Sequence, residues 1–430
     1  MQLPKYDSYK DSGVDWLGEI PEGWNLQKLK YLFGFSERGT APTYADEGIP
    51  VISQSCISSY ALNLKKAKYH NASISFQAYR GLLHKGDMLI ASTGVGVLGK
   101  CALYDTDIES FADSHVTIVR DETTHVTTKY LFYLLSVQYD MINACLSEGA
   151  TKQTELQRDR LRSLLLPVPS PEDQERIIAF LDQKTAEIDE AIAKKQKLIE
   201  RLQEQKSILI NQAVTKGLNP DAPMKESGVE WIGEIPAHWE LQKAKVLFDK
   251  TQHPVHSKDG IVTAFRDGEV TLRTNRRTEG FTIALLEQGY QGVRSGQLVV
   301  NSMDAFAGAI GISDSDGKCS PEYVVCDATK PSESYLPFYA YLLRNMAEKG
   351  YIQAICPAVR QRALRFRYPN LAPVLLPAPH KEEQKQIVEV IEITKSNHDE
   401  AIKHLADQIA LLVEFKQTLI SLAVTGKIKV

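Results

Sequence analysis

Residues 10–33 read KDSGVDWLGEIPEGWNLQKLKYLF, and residues 225–248 read KESGVEWIGEIPAHWELQKAKVLF. The second copy starts 215 residues after the first (225 − 10) and aligns with no gap. Both hold S-G-V-x-W-x-G-E-I-P-x-x-W-x-L-Q-K-x-K-x-L-F, so the chain is built by internal duplication. Trp16, Trp24, Trp231 and Trp239 occupy fixed places in this frame. Their duplication reads as packing anchors rather than as platforms for stacking bases.

A second repeat lies further along each half. Leu166-Pro167-Val168-Pro169 returns as Leu376-Pro377-Ala378-Pro379, an offset of 210 (376 − 166). The same offset links Gln174 to Gln384, Asp189-Glu190-Ala191-Ile192 to Asp399-Glu400-Ala401-Ile402, and Ala213-Val214-Thr215 to Ala423-Val424-Thr425. About 45 residues thus recur without insertion, as a packed helix demands, because one extra residue turns everything beyond it by about 100°. Ser170-Pro171 supplies an N-cap and a proline at the first helical position, with Asp173 in capping-box register. Gly217 closes this helix, and Gly426 closes the second, which opens less cleanly at Pro379-His380-Lys381. Each is expected to run roughly 65 Å at about 1.5 Å per residue.

Along these helices, Ile177, Leu181, Ile188, Ala191, Leu198, Leu202 and Leu209 recur at steps of three and four. Ile387, Ile391, Ala401, Leu405, Leu412, Phe415 and Leu419 do the same in the second. The spacing predicts heptad seams and an antiparallel coiled coil within the chain. A second stripe, Ile178, Ile192 and Ile199 with Val388, Ile402 and Ile409, completes the same core or offers a docking face.

Two unlike segments, roughly 34–165 and 249–375, fill the space between frame and helix. In the first, strands are expected at Gly86–Ser92, Val95–Tyr104 and Val116–Val119, with a helix at Lys129–Ser147. Parallel pieces in the second are Ser295–Asn301, Gly308–Ile312, Tyr323–Val325 and a helix at Tyr335–Lys349. Both read as mixed α/β domains. Gly94-Val-Gly96-Val-Leu-Gly99-Lys100-Cys101 mimics a phosphate loop. However, Cys101 lacks the magnesium-holding hydroxyl, and Ala102-Leu103-Tyr104 is strand-like where a helix should begin. A tight turn is the better reading.

At 430 residues the chain exceeds one ordinary core. The N-terminus has no apolar signal core, and no apolar run approaches the roughly 20 residues that span a bilayer. Cysteines 56, 101, 145, 319, 326 and 356 form no C-x-x-C or zinc spacing. These features predict a cytoplasmic protein without membrane association. The net charge of −4 is unusual for a protein gripping phosphates unaided. No [DNS]-P-P-[FYW] of an amino-methyltransferase, metal-ligand cluster or G-x-S-x-G elbow is present, so the chain is expected to be non-catalytic.

The duplicated W-x-G-E-I-P-x-x-W frame, the L-P-x-P and Gln at each helix start, and the A-V-T ending resemble the specificity subunits of type I restriction-modification systems. The resemblance covers nearly the whole chain. It implies an α+β, mixed architecture: two α/β target recognition domains separated by an antiparallel coiled coil of two long helices, with an internal pseudo-twofold repeat. The divisions are then 1–165, the first recognition domain with its frame, and 166–217, the first long helix. Residues 218–375 form the second recognition domain and 376–430 the second helix. The resemblance also implies double-stranded DNA and two methyltransferase subunits as partners, with two restriction subunits able to join. S-adenosylmethionine, ATP and magnesium belong to those partners and none to this chain. In such a complex the partners can supply much of the phosphate grip.

The family's DNA-contact residues sit at no fixed motif, so candidates come from chemistry: amides, hydroxyls and guanidinium groups read base edges and hold phosphates. In the second insert these are Arg273, Asn275, Arg276 and Arg277, then Arg360-Gln361-Arg362 and Arg365. The latter group aligns loosely with Thr151-Lys152-Gln153 of the first insert. Ser53-Gln54-Ser55, Ser92-Thr93, Ser114-His115 and Asn301-Ser302 complete the set, with capped turns as their alternative role. A competing reading is a coiled-coil scaffold that presents two protein-binding domains and has no DNA role. The acidic balance favours that reading; unlike inserts in one frame do not.

Overall fold

The computed structural model describes residues 4–58, 60–71, 81–94, 96–121, 126–148, 155–276, 289–356 and 365–430, with only the backbone over 144–148. The chain divides into two compact units, Met1–Lys195 with Asp407–Val430, and Gln196–Ala406.

In the first unit the frame begins with a hairpin, Tyr9–Asp11 against Glu19–Pro21. Gly13 and Gly18 take φ of 66° and 61° in its turn, where a Cβ is disfavoured. Trp24 is buried among Leu17, Ile20 and Val424. The next strand, Asn25–Lys28, pairs antiparallel with Leu165–Val168, so the insert leaves and returns through one strand pair. The insert carries a four-stranded antiparallel sheet in the order Phe35–Arg38, Val116–Arg120, Met88–Ala91, Cys101–Leu103. A second, mixed sheet holds Tyr44–Ala45, Lys68–His70, Ile49–Ile52 and Phe111–Ala112. The single helix expected at 129–147 is two, Thr128–Ser136 and Tyr139–Leu146. The glycine-rich turn at 96–99 leads into the strand Cys101–Leu103, as expected; a Cβ on Gly99 would lie 2.5 Å from Ile142 Cγ2.

The second unit repeats this plan. Its hairpin is Met224–Glu226 against Glu234–Pro236, and Glu240–Lys243 pairs with Leu375–Ala378. Its main sheet runs Phe248–Lys250, Tyr323–Ala328, Leu298–Asn301, Ile310–Ile312, the same order and senses as in the first unit. Helix Leu336–Glu348 follows. Two inserts with little common sequence therefore share one sheet topology.

The long helices are Pro171–Lys216 and Lys381–Val424. Ser170 Oγ accepts from the Asp173 amide at 3.1 Å, the anticipated cap. The repeated glutamines, both buried, tie each helix start to its own head. The Gln174 side chain donates to Pro169 O and accepts from the Thr127 amide; Gln384 donates to Pro379 O and accepts from the Tyr335 amide. Each helix begins in one unit and ends in the other. Within the first unit, Asp189 pairs with Lys416 and Lys195 with Gln408, both at 2.6 Å, so the two stretches run antiparallel. Within the second, Lys206 pairs with Asp399 at 2.6 Å, and Val214 shares a core with Ile387 and Ile391.

The heptad seam fails in mid-helix. Leu198, Leu209 and Phe415 are 45%, 37% and 55% exposed. Buried or half-buried positions that span the helices include Ile177, Ile188, Ile199 and Ile210, eleven residues apart, with Ile387, His398, Ile409 and Ile420 in the second helix. A heptad stripe drifts by about 20° per repeat around an ordinary α-helix, whereas an 11-residue repeat stays on one face. The second stripe thus supplies the mid-helix interior, and part of the first faces solvent.

Candidate nucleic-acid interface

In the first unit the strand Met88–Ala91 ends beside the turn at 113–115, and this brings several candidate side chains together. Thr93 Oγ1 lies 2.5 Å from Gln54 Oε1 and 3.0 Å from His115 Nδ1. Ser53 and Ser55 share a hydroxyl contact of 2.7 Å in the adjoining turn. Gly94 makes room: a Cβ there would sit 3.0 Å from Gln54 Nε2. Gln54, Thr93 and His115 therefore form one polar edge, with Gln54 and Thr93 half-buried and His115 exposed. Ser114 is half-buried in the same turn. Sequence reading passed over Asp113, whose Oδ1 accepts from the His115 amide at 2.8 Å and fixes the turn. Burial pushes its carboxyl above the ordinary carboxylate range, opposed by that amide bond.

Three candidates are withdrawn by their burial. Ser92 is sealed, its hydroxyl 2.5 Å from Thr117 Oγ1. Asn301 and Ser302 are also buried; Asn301 Oδ1 caps the turn by accepting from the Met303 amide. They are turn residues, and a group without solvent access does not meet a base edge. Their backbones have a different use. Leu156 donates to Ser92 O and Phe366 to Ser302 O, both at 2.9 Å, so each unit straps the end of its insert onto the same strand end.

In the second unit, Arg273, Asn275 and Arg276 lie at one end of the hairpin Val262–Ala264/Val270–Leu272. Arg273 Nε donates to Thr263 Oγ1 at 3.2 Å, and Asn275 Nδ2 to Thr271 Oγ1 at 2.7 Å. Arg276 stacks on Phe265 and pairs with Asp267 at 2.8 Å and Glu269 at 3.1 Å. Sequence reading missed these carboxylates, although R-D-G-E at 266–269 signals a turn that folds them back. Exposed pairs of this kind are worth at most about 1 kcal/mol, so phosphate can compete for the guanidinium. Arg365 pairs with Glu322 at 3.5 Å. Arg277, Arg360, Gln361, Arg362, Thr151, Lys152 and Gln153 lie outside the described residues. Among the described residues no group of three His, Cys, Asp or Glu could hold a metal, and no helix is long and apolar enough to cross a membrane.

Residues 21–201 match the type I restriction modification DNA specificity domain. Over that stretch the chain is similar to type I restriction-modification specificity subunits. A protein named as the MjaX specificity subunit of Methanocaldococcus jannaschii is 27% identical over a stretch covering 56% of each chain, so the match spans little more than half of that relative. The MjaVIII specificity subunit of the same organism is 24% identical, and there the alignment covers 100% of this chain and 98% of the relative. Among solved structures, a chain from a study of complex assembly and conformational transition of the type I R-M system superposes with a TM-score of 0.67. It is 17% identical and covers 94% of this chain and 98% of its own, a likeness of fold. The two units thus share a frame and a main sheet but carry unlike polar clusters, Gln54, Thr93 and His115 in one and Arg273, Asn275 and Arg276 in the other.

Proposed function

We propose that this chain is the non-catalytic DNA-reading subunit of a type I restriction-modification complex, with one half of a bipartite double-stranded target read by each unit. The observation that carries this is a repeated frame and main sheet whose two units carry unlike polar clusters. Gln54, Thr93 and His115 form the cluster in one unit, and Arg273, Asn275 and Arg276 form it in the other. A shared scaffold carries each cluster, and the differing side chains supply different base preferences. In this reading residues 1–165 and 218–375 are the recognition domains. Residues 166–217 and 376–430 form an antiparallel spacer with pseudo-twofold symmetry that sets the gap between half-sites.

The solvent-facing Leu198, Leu209, Leu411 and Phe415 offer apolar surface for helices of two methyltransferase subunits, and restriction subunits join the same assembly. Cofactors reside on those partners. A reducing, cytoplasmic setting belongs to the same proposal and suits the free, buried Cys56, Cys101, Cys319, Cys326 and Cys356. The test is a genome-wide adenine-methylation map of cells expressing the chain with its neighbouring methyltransferase subunit. A split motif that vanishes when the chain is omitted is expected. No motif, together with no DNA retention of the purified pair in a gel shift, would favour the scaffold reading.

A further inference from the structure

The duplicated frame contains exposed residues that packing does not explain. Most identical positions have a structural task in both copies. Lys10 and Lys225 donate to the carbonyls of Glu22 and Ala237 at 2.7 and 2.8 Å. Ser12 and Ser227 cap their turns, and Ile20, Trp24, Leu32 and Phe33 are buried, as are Ile235, Trp239, Leu247 and Phe248. Lys28 and Lys30, with Lys243 and Lys245, differ. All four are exposed, and none has a carboxylate within ion-pair distance among the described residues. Lys30 lies 4.8 Å from the ring of the exposed Tyr31. Glu19 and Glu234 are also repeated and exposed, but they sit on the hairpin, before the corner that carries the lysines.

In each unit that corner receives the returning end of the insert, and in the first unit this end also meets the candidate edge. In the first unit the strap at Glu155–Leu156 leaves Thr93 and runs into helix Arg158–Ser163, whose following residue, Leu164, accepts from the Leu29 amide. That helix also carries Arg160 and Arg162, together with Asp159. In the second unit the strap from Phe366 leads to Tyr368–Leu371, and the Lys245 amide donates to Ala372 O. Each unit thus carries, where its strap returns to the frame, a pair of lysines that does not vary.

Resting on the function proposed above, we infer that Lys28 and Lys30, and Lys243 and Lys245, are sequence-independent contacts to the phosphate backbone of the two half-sites. Identical cations in two units with unlike reading clusters fit a ligand feature common to both halves, and the sugar-phosphate backbone is that feature. They also provide a local grip that a chain of net charge −4 needs.

The experiment uses the full chain co-purified with its methyltransferase subunit, and fluorescence anisotropy with a target duplex and a random duplex across a salt series. Each neutralised phosphate contributes about 0.9 to the slope of log K against log salt. The pair Lys28→Gln/Lys30→Gln should therefore lower the slope by about 1.8, and all four substitutions by about 3.6. Target and random duplex should weaken together, with their ratio unchanged. An unaltered slope and affinity overturns the inference. So does loss of the methyltransferase subunit from the purified complex, which would make the lysines a protein-docking surface. Lys28→Arg/Lys30→Arg should retain the slope, and unaltered circular dichroism melts exclude misfolding. If the unsubstituted complex shows no preference for its target duplex, the function proposed above fails, and the lysine result is read on the random duplex alone.

Discussion

The two long helices end on the two frames in the same way but at different closeness, and the difference is measurable. Gly426 has φ +72°, and a Cβ there would lie 2.4 Å from Pro21 Cδ and 3.1 Å from Trp24 Cη2. Its amide and that of Lys427 donate back to Ala423 O and Leu422 O, a Schellman ending. Gly217 has φ +74°, but its Cβ would come no closer than 3.2 Å, to Trp239 Cζ2. In either glycine, alanine incurs about 1–2 kcal/mol for left-handed backbone. Only at 426 does it also wedge against a rigid ring, an overpacking of about 1–3 kcal/mol. Gly426→Ala should therefore destabilise by about 2–5 kcal/mol and Gly217→Ala by about 1–2. Units of this size shift in Tm by about 2–4 °C per kcal/mol, so thermal melts can separate the two variants. Hydrogen exchange at 128–136 and 336–348 assigns each loss to its unit. Adding Pro21→Ala to Gly426→Ala should recover part of the loss. Equal losses, or a larger one at Gly217, would refute the reasoning that the frame sets how near the helix end may come.

Other outcomes follow from the candidate edges and the spacer. Gln54→Ala with Thr93→Val should slow methylation at targets altered in one half-site while complex assembly persists; one good base contact is worth about 1–3 kcal/mol, or roughly 5- to 150-fold. Methylation kinetics on half-site variants check this, and a uniform effect on both halves would count against it. Asp113→Asn keeps an acceptor for the His115 amide and removes a buried charge. The Asp113 carboxyl has a raised folded-state pKa, so wild type loses stability as pH climbs from the ordinary carboxylate value through the raised one. The variant should gain on wild type at pH 7, and the gap should narrow toward pH 4; a gap independent of pH speaks against burial as the cause. Removing seven residues from each long helix takes away about 10 Å, or roughly three base pairs at about 3.4 Å each, from the preferred gap. A methylation map shows whether the gap shortens.

Much of this architecture was legible because the chain is written twice. An ungapped frame and an ungapped helix leave few alternatives, and Ser170, Gly217 and Gly426 mark helix ends by local chemistry alone. The heptad seam was misread because periods of 3.5 and 3.67 residues agree over two turns and separate only after several, which is where Leu198 and Leu209 turn outward. Ser92 and Ser302 looked like surface hydroxyls, since their cover comes from distant chain. Gln174 and Gln384 repeated visibly, yet their partners lie 47 and 49 residues away, beyond any local pattern. The edge at Gln54, Thr93 and His115 assembles from three separate stretches, so its members could be nominated singly but not as a group.

Lys28 faces Leu165, and Lys243 faces Leu375, across antiparallel strand pairs. Opposed residues in such ladders have Cα atoms about 4.5–5.5 Å apart. Each insert is therefore a cassette on a narrow socket, with entry and exit pinned side by side whatever lies between. Material of another length or sequence can be exchanged there without straining the helices, and new preferences can arise while the machinery around them stays as it was.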